Sequence, residues 1–434
     1  MKKKVLFALI AAALVLSLAA GCGAALTART AADPAAAVSA AGDAEAAASA
    51  ALPTEAAASV TARDGSGGYD AASAVRLSPE DALTITEAGV YILSGTYENQ
   101  MILVDAGEED KVQLVLENAA LTNENGPAIY VRSADKVFIT AAEGTENTIS
   151  DGTDYAAFDG DTELDAAIFS KADLTVNGAG RLTVSGNQKH AVVSKDDLVV
   201  TAKDLTVNAV KAGLCGKDCV KLSCASVNIT AGSDGIRSDN DEDPERGYIT
   251  AVDSTITIQA GEDGIQAETY LLVDGGSCTI TCGDDAVHAN GKVEIAGGTL
   301  SITAGEGIEG TYILISGGEI DIQASDDGVN AARKSSAYTP TVEITGGTLT
   351  VAMGPGDTDG IDSNGDIIIT GGTISVSGNS TFDYDGTAVF TGGTVYVNGR
   401  QVTTLPNQMM GGGPGGQGGF GGGPGGGHGG RPGG

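Results

Sequence analysis

The sequence predicts an all-β solenoid, a parallel β-helix of about 21–22 residues per coil, and three observations carry that prediction. An acidic residue, usually followed by glycine and then an aliphatic, recurs at Asp234-Gly235-Ile236, Asp263-Gly264-Ile265, Asp285-Ala286-Val287, Glu306-Gly307-Ile308, Asp327-Gly328-Val329 and Asp359-Gly360-Ile361. The aliphatic anchors are spaced 29, 22, 21, 21 and 32 residues apart. A glycine pair recurs in step at Gly275-Gly276, Gly297-Gly298, Gly317-Gly318, Gly346-Gly347, Gly371-Gly372 and Gly392-Gly393. Around these pairs the apolar residues alternate with period two, which places one side of each segment inward as a strand and excludes a helix.

Taking the elements in order, each coil reads as three short strands: one at the acidic-Gly-aliphatic unit, one before the glycine pair and one after it. Before the pair, Val293 and Ile295 register with Ile313 and Ile315, with Val342 and Ile344, and with Ile367 and Ile369. After it, Leu300, Ile302 and Ala304 register with Ile320, Ile322 and Ala324. Ile129, Ile168, Val192 and Leu214 read as anchors of earlier coils, and Val75 to Asn125 as a cap for the first coil. The same register points Cys278 and Cys282 into the core, about 13 Å apart along one strand and too far for a mutual disulfide. Cys215, Cys219 and Cys224 read as inert thiols or one local disulfide rather than a zinc site, since no paired CxxC is present.

The ends differ in composition. Residues 1–21 read as a secretion signal, with Lys2, Lys3 and Lys4 ahead of an apolar run from Val5 to Ala20. Leu18-Ala19-Ala20-Gly21-Cys22 resembles a bacterial lipobox, which makes Cys22 the expected lipidation site and membrane anchor and places the protein on the outside of the cell. Residues 22–70 are Ala-rich and poor in large apolar side chains, the composition of a disordered tether. The folded domain is expected over 71–405, followed by a disordered Gly-rich tail over 406–434.

A formal net charge of −33 argues against nucleic acid or anionic lipid as a direct partner. An acidic polymer binds such a surface only where metal ions neutralise the contact. The repeats supply the place. Carboxylates stacked at the coil interval of about 4.8 Å repel one another, and fan out, protonate or share a divalent cation. Calcium suits the last option because it takes six to eight oxygen ligands and mixes carboxylates with carbonyls.

The candidate calcium ligands are Asp234, Asp239, Glu262, Asp263, Asp284, Asp285, Glu306, Asp326, Asp327, Asn330, Asp359 and Asp362. Asp-Gly is also ordinary turn chemistry. The doublets Glu262-Asp263, Asp284-Asp285 and Asp326-Asp327 add charge that a turn does not need. His288 and Glu309 lie just past their anchors on the same edge. The two longest units carry inserts, Arg237 to Arg246 and Ala331 to Pro340, expected to frame the acidic line. Arg237, Arg246, Arg333, Lys334 and Tyr338 on these inserts, with His288 and Glu309, are the candidate ligand-binding residues.

Ile85-Thr86-Glu87-Ala88-Gly89-Val90-Tyr91, Ser94-Gly95-Thr96, Gly126-Pro127-Ala128-Ile129-Tyr130-Val131 and Glu143-Gly144-Thr145-Glu146-Asn147-Thr148 accompany the Asp-Asp-Gly-Val and Gly-Gly-Thr repeats. Together these resemble the clostridial cell-surface carbohydrate-binding domain family, over roughly Leu83 to Val402. The resemblance implies a right-handed parallel β-helix similar to pectate lyases, calcium on the Asp-Gly line, and non-catalytic binding of polygalacturonate or cellulose. Ala286 in place of Gly and Gly305 in place of the first acid depart from the repeat.

The expected function is therefore a surface lipoprotein binding acidic polysaccharide through calcium. Cellulose suits the chain less, because sugar-stacking platforms favour Trp and Tyr and the chain has no Trp. Two alternatives stand beside it. One is a calcium-dependent polysaccharide lyase whose base is Arg237, Arg246, Arg333 or Lys334, and the other is a structural coat or adhesion element whose calcium only rigidifies it.

Overall fold

The computed structural model describes residues 60–81, 83–355 and 358–408. The signal segment, Cys22, most of the tether and the tail from residue 409 lie outside the described residues. Those described form 37 strands and no helix, and the chain divides into two compact units.

The first unit comprises the chain through Asn208 with Leu214–Asn228 and Ser238–Thr255. Its strands pair in parallel, each with one from the next coil, so like residues stack. Ile129 pairs with Ile168, Ile168 with Val192, and Val192 with Leu214, as their sequence register predicts, and all four are fully buried. The expected cap belongs to the same parallel ladder: Val75 pairs with Tyr91, Tyr91 with Leu114, and Leu114 with Ile139.

The tether ends earlier than its composition suggests. Val60 to Gly68 lies against the outward faces of the strands Lys136–Ala141 and Asp173–Gly178. Asp64 accepts hydrogen bonds from Thr175 Oγ1 at 2.6 Å and Thr61 Oγ1 at 2.5 Å, and an ion pair from Lys136 at 2.9 Å. Asn177 and Thr201 donate to the Asp64 carbonyl, and the Arg63 guanidinium sits 4.4 Å from the Phe138 ring centre. A short, mostly polar segment is held here by hydrogen bonds, which composition alone does not reveal.

The second unit comprises Ala209–Gly213, Ile229–Arg237 and the chain from Ile256. Its anchors stack in one inward column: Ile265 on Val287, Val287 on Ile308, Ile308 on Val329, Val329 on Ile361, and Ile361 on Phe382. The flanking strands register as the sequence predicts, Val293 with Ile313, Ile313 with Val342, Val342 with Ile367, and Leu300 with Ile320. Each of these buried side chains contributes about 1.5–3 kcal/mol of transfer free energy. Cys278 pairs with Leu300 and is buried, whereas Cys282, at the strand end, is only half-buried.

The two kinds of glycine serve different ends. Gly298 has φ +93°, a left-handed turn that a side chain resists. Gly328 needs room instead, since a Cβ there would lie 2.3 Å from Val351 Cγ1 and 2.5 Å from the Gly360 carbonyl. The acidic-Gly step is thus a close approach between coils rather than a left-handed turn.

At the C-terminal end the direction reverses. Thr394–Val397 pairs antiparallel with Arg400–Val402. Gln408 donates its N–H to the Phe382 carbonyl, and its side-chain oxygen accepts from Thr381 N and Oγ1. Residues 406–408, which composition assigns to the disordered tail, therefore close the ladder.

Candidate functional site: an acidic ladder beside a tyrosine face

Within the second unit, parallel pairing converts the repeat into two adjacent outward columns. One carries Asp263, Asp285, Glu306, Asp327 and Asp359. The other, three residues further along each coil, carries Gln266, His288, Glu309, Asn330, Asp362 and Asp383, with Gln266 paired to His288, His288 to Glu309, Glu309 to Asn330, Asn330 to Asp362, and Asp362 to Asp383. The aliphatic between the two columns is fully buried in every one of these coils.

Backbone geometry ties successive rungs together. Asp263 Oδ1 accepts from the Asp285 N–H at 3.1 Å, and Asp327 Oδ1 from the Asp359 N–H at 2.9 Å. Ligand atoms of Asp285, Glu306 and Glu309 lie within 4.8 Å of one another, as do those of Asp263, Asp285 and His288.

The rungs are neutralised unequally. At the first, Arg237 lies 3.6 Å from Asp234. In the middle, His288 Nδ1 stands 2.5 Å from Asp285 and 3.1 Å from Glu309, while His288 Nε2 is 3.1 Å from Asn290 Oδ1. Acceptors on both ring nitrogens demand an imidazolium. Burial opposes that charge, but the hydrogen bonds of Asp285 and Glu309 outweigh it and raise the His288 pKa to about 10. Lys334 Nζ adds a second cation, 2.8 Å from Glu309 Oε1. Against burial, these two cations hold the Glu309 carboxyl down to about 2.

The remaining rungs have no such partner. Burial, reinforced by nearby carboxylates, pushes Asp263 to about 7, Glu306 to about 8, Asp327 to about 6 and Asp362 to about 7. Glu306, Asp327 and Asp362 make no ion pair among the described residues. Asn330 donates from Nδ2 to Glu306 at 3.1 Å, but its buried Oδ1 has no hydrogen-bond partner. Carboxylates and an orphaned amide oxygen are the hard donor set that calcium accepts, so the residues at this end fit that ion.

Several sequence expectations need correction. The first members of the doublets, Glu262, Asp284 and Asp326, are exposed, and the inward-leaning acid is the second member each time. The useful partner is thus three residues on, not one back: ligand atoms of Glu306 and Glu309 lie within 4.8 Å of each other and of Asp285. Asp239 and Arg246 belong to the first unit, where Asp239 is exposed and Arg246 lies 3.3 Å from Asp197 and 3.8 Å from Asp218. From the first insert, Arg237 reaches the acidic line at Asp234. Arg333 is exposed beside Lys334.

The second insert does reach the site. Thr311 Oγ1 accepts from the N–H groups of Lys334 and Ser335 and donates to the Asn290 carbonyl. This clamp sets Lys334 on Glu309 and brings Tyr338 to 6.0 Å from Tyr312, ring centre to ring centre. Sequence reasoning missed what lies beneath. Lys292, buried and bonded to Glu294 at 2.8 Å, sits 5.9 Å from the ring centres of both Tyr270 and Tyr312. The signal was available, since Tyr270, Lys292 and Tyr312 occupy one register position in three successive coils.

A family model described as carbohydrate-binding domain-containing protein matches residues 79–355 and 280–401. The chain belongs to this carbohydrate-binding domain family. A carbohydrate-binding domain-containing protein of Acetivibrio thermocellus is 32% identical over 189 residues, covering 43% of this chain and 66% of the relative, just under two thirds of its length. A solved structure titled a polysaccharide lyase-like protein from C. thermocellum, a gadolinium derivative, is similar at 36% identity and a TM-score of 0.48, over 49% of this chain and 86% of that one.

In the first unit of the carbohydrate-binding domain, a second acidic group, Asp173, Asp196 and Asp197, already has basic neighbours: Arg246 and Lys221 both reach Asp197. A cavity of about 480 Å³ lined by Tyr130, Arg132, Phe158 and Lys171 is likewise internally paired, Arg132 with Asp159 and Lys171 with Asp161.

Proposed function

We propose that this carbohydrate-binding domain holds an acidic, polygalacturonate-like polysaccharide through calcium at the Glu306 to Asp362 end of its ladder, without cleaving it, on a right-handed β-helix. The carrying observation is a run of half-buried carboxylates with no ion pair among the described residues, Glu306, Asp327 and Asp362, beside the orphaned Asn330 Oδ1. Glu306, Asp327, Asn330, Asp359 and Asp362 would hold the ion, which would supply positive charge and open coordination positions for a uronate carboxylate. The Tyr312 and Tyr338 rings, with Lys292 buried against Tyr312, extend the face with apolar sugar-stacking surface.

The candidate lyase bases do not favour catalysis. Lys334 is held protonated by Glu309, because that ion pair outweighs the effect of burial. Arg237 is turned onto Asp234, and arginine does not surrender its proton. A surface lipoprotein anchored through Cys22 remains the proposed setting.

Retention of the full-length protein on polygalacturonate, with calcium and with chelator, tests this reading. Calcium-dependent retention without ultraviolet-absorbing unsaturated product supports it. Retention that ignores chelator removes the calcium bridge, product formation favours the lyase, preference for cellulose moves the substrate class, and retention on neither polymer favours a coat element.

A further inference from the structure

In the first unit a cysteine, a histidine and an aspartate line up on three successive coils. Cys215, on Leu214–Gly216, is half-buried and pairs across the ladder with Val193 of His190–Ser194. Its Sγ lies 3.7 Å from His190 Nδ1. The opposite ring nitrogen, Nε2, lies 3.8 Å from Asp165 Oδ2, and Lys189 Nζ is 3.4 Å from the same oxygen. Asp165 Oδ1 is buried and has no hydrogen-bond partner. Apolar groups flank the sulfur, with Cys215 packed against the cluster containing Leu164, Phe169 and Val193, beside Tyr155.

We infer that Cys215 is a nucleophilic thiol, activated by His190 and oriented through Asp165, that exchanges with a small organic disulfide seated on the adjoining apolar shelf. His190 Nδ1 takes the thiol proton, and the Asp165 carboxylate stabilises the imidazolium that forms. The Cys215 thiolate attacks one sulfur of the disulfide. A new S–S bond forms, the old one breaks, and the departing thiolate recovers the proton from His190. The exchange is redox-neutral overall, and because the leaving group is itself a stable anion, it needs no oxyanion hole. Among the described residues the other thiols lack this arrangement: Cys219 and Cys278 are buried, and burial pushes the half-buried Cys282 up to about 12.

The full-length wild-type chain supplies its own control. Treated with an aromatic disulfide whose leaving thiolate is coloured, it should release a rapid phase, with peptide mass mapping placing the adduct on Cys215. That phase should run about tenfold or more faster than reaction at Cys282. Cys215→Ser should abolish it, His190→Gly should slow it about tenfold, and free imidazole should restore the rate in His190→Gly, which a purely structural histidine would not allow. An adduct forming no faster on Cys215 than on Cys282, or a rapid phase that His190→Gly leaves unchanged, overturns the inference. The first comparison requires no variant to fold.

Discussion

Asp64 and Thr175 are 111 residues apart in sequence, yet the threonine hydroxyl donates a 2.6 Å hydrogen bond into a carboxylate that is 2% exposed. The contact ties the segment around Asp64 onto the strand Asp173–Gly178 of the first unit. Asp64→Ala removes the acceptor and leaves Lys136 and Thr175 facing a void, so it should cost about 1–3 kcal/mol in denaturant unfolding. Cleavage by a protease between residues 60 and 68 should accelerate in the same variant.

The same carboxylate sets an acid limit. Burial alone would raise its pKa, but hydrogen bonds from Thr175, Thr61 and Lys136 outweigh burial and hold it below the usual aspartate value. Its folded value is thus below its unfolded one, so its contribution is present above the unfolded value and is lost as pH falls through the folded value. Wild type should lose stability toward pH 3, and Asp64→Asn should lose correspondingly less over the same interval.

The ladder has the opposite sign. Asp263, Glu306, Asp327 and Asp362 are raised to between about 6 and about 8, chiefly by burial, so their folded values exceed their unfolded ones. Stability contributed by their protonation is present below about pH 4 and fades as pH rises through 6 to 8. In chelator the melting temperature attributable to this region should fall between pH 5 and pH 8, and calcium should cancel the fall. A melt that is flat across this range in chelator would contradict the assignment.

His288 occupies the middle rung where a metal would otherwise compensate Asp285 and Glu309. His288→Asn should destabilise the calcium-free protein by about 3 kcal/mol or more, because two buried carboxylates lose their shared partner. Added calcium should recover much of that loss, making the variant more calcium-dependent than wild type in thermal melts.

Tyr338 tests the aromatic part of the site separately. Tyr338→Ala removes an exposed-edge ring packed on Tyr312 and leaves the ladder in place. Retention on polygalacturonate should weaken about three- to tenfold, corresponding to a stacking contribution of about 0.5–1.5 kcal/mol, with calcium-dependent melting unchanged.

The coil register was legible because period two and the recurring glycines act at every turn: Val293, Ile313, Val342 and Ile367 could be superposed by counting. The ladder was half legible. Acidity at Asp285 and Asp327 stood out, but the doublets suggested adjacent ligands, while Asp284 and Asp326 sit exposed in the bends that precede the strands. The insert ending at Arg246 could not be placed from spacing, since its partners Asp197 and Asp218 come from earlier coils and depend on which way the loop folds. Docking of Asp64 was hidden for a similar reason: a polar segment leaves no hydrophobic period to read.

The reversal at Arg400–Val402 and the side chain of Gln408 have a consequence for assembly. A ladder of parallel strands ends in unpaired backbone groups that would template a further copy, and repeated addition would draw the protein into filaments. Here the last strand among the described residues is three residues long, runs against the grain and carries Arg400, while Gln408 occupies the donors of the neighbouring edge. Residues 400–408 thus serve as a stopper, and a chain shortened before Arg400 should offer its cut end as a seed for fibre growth.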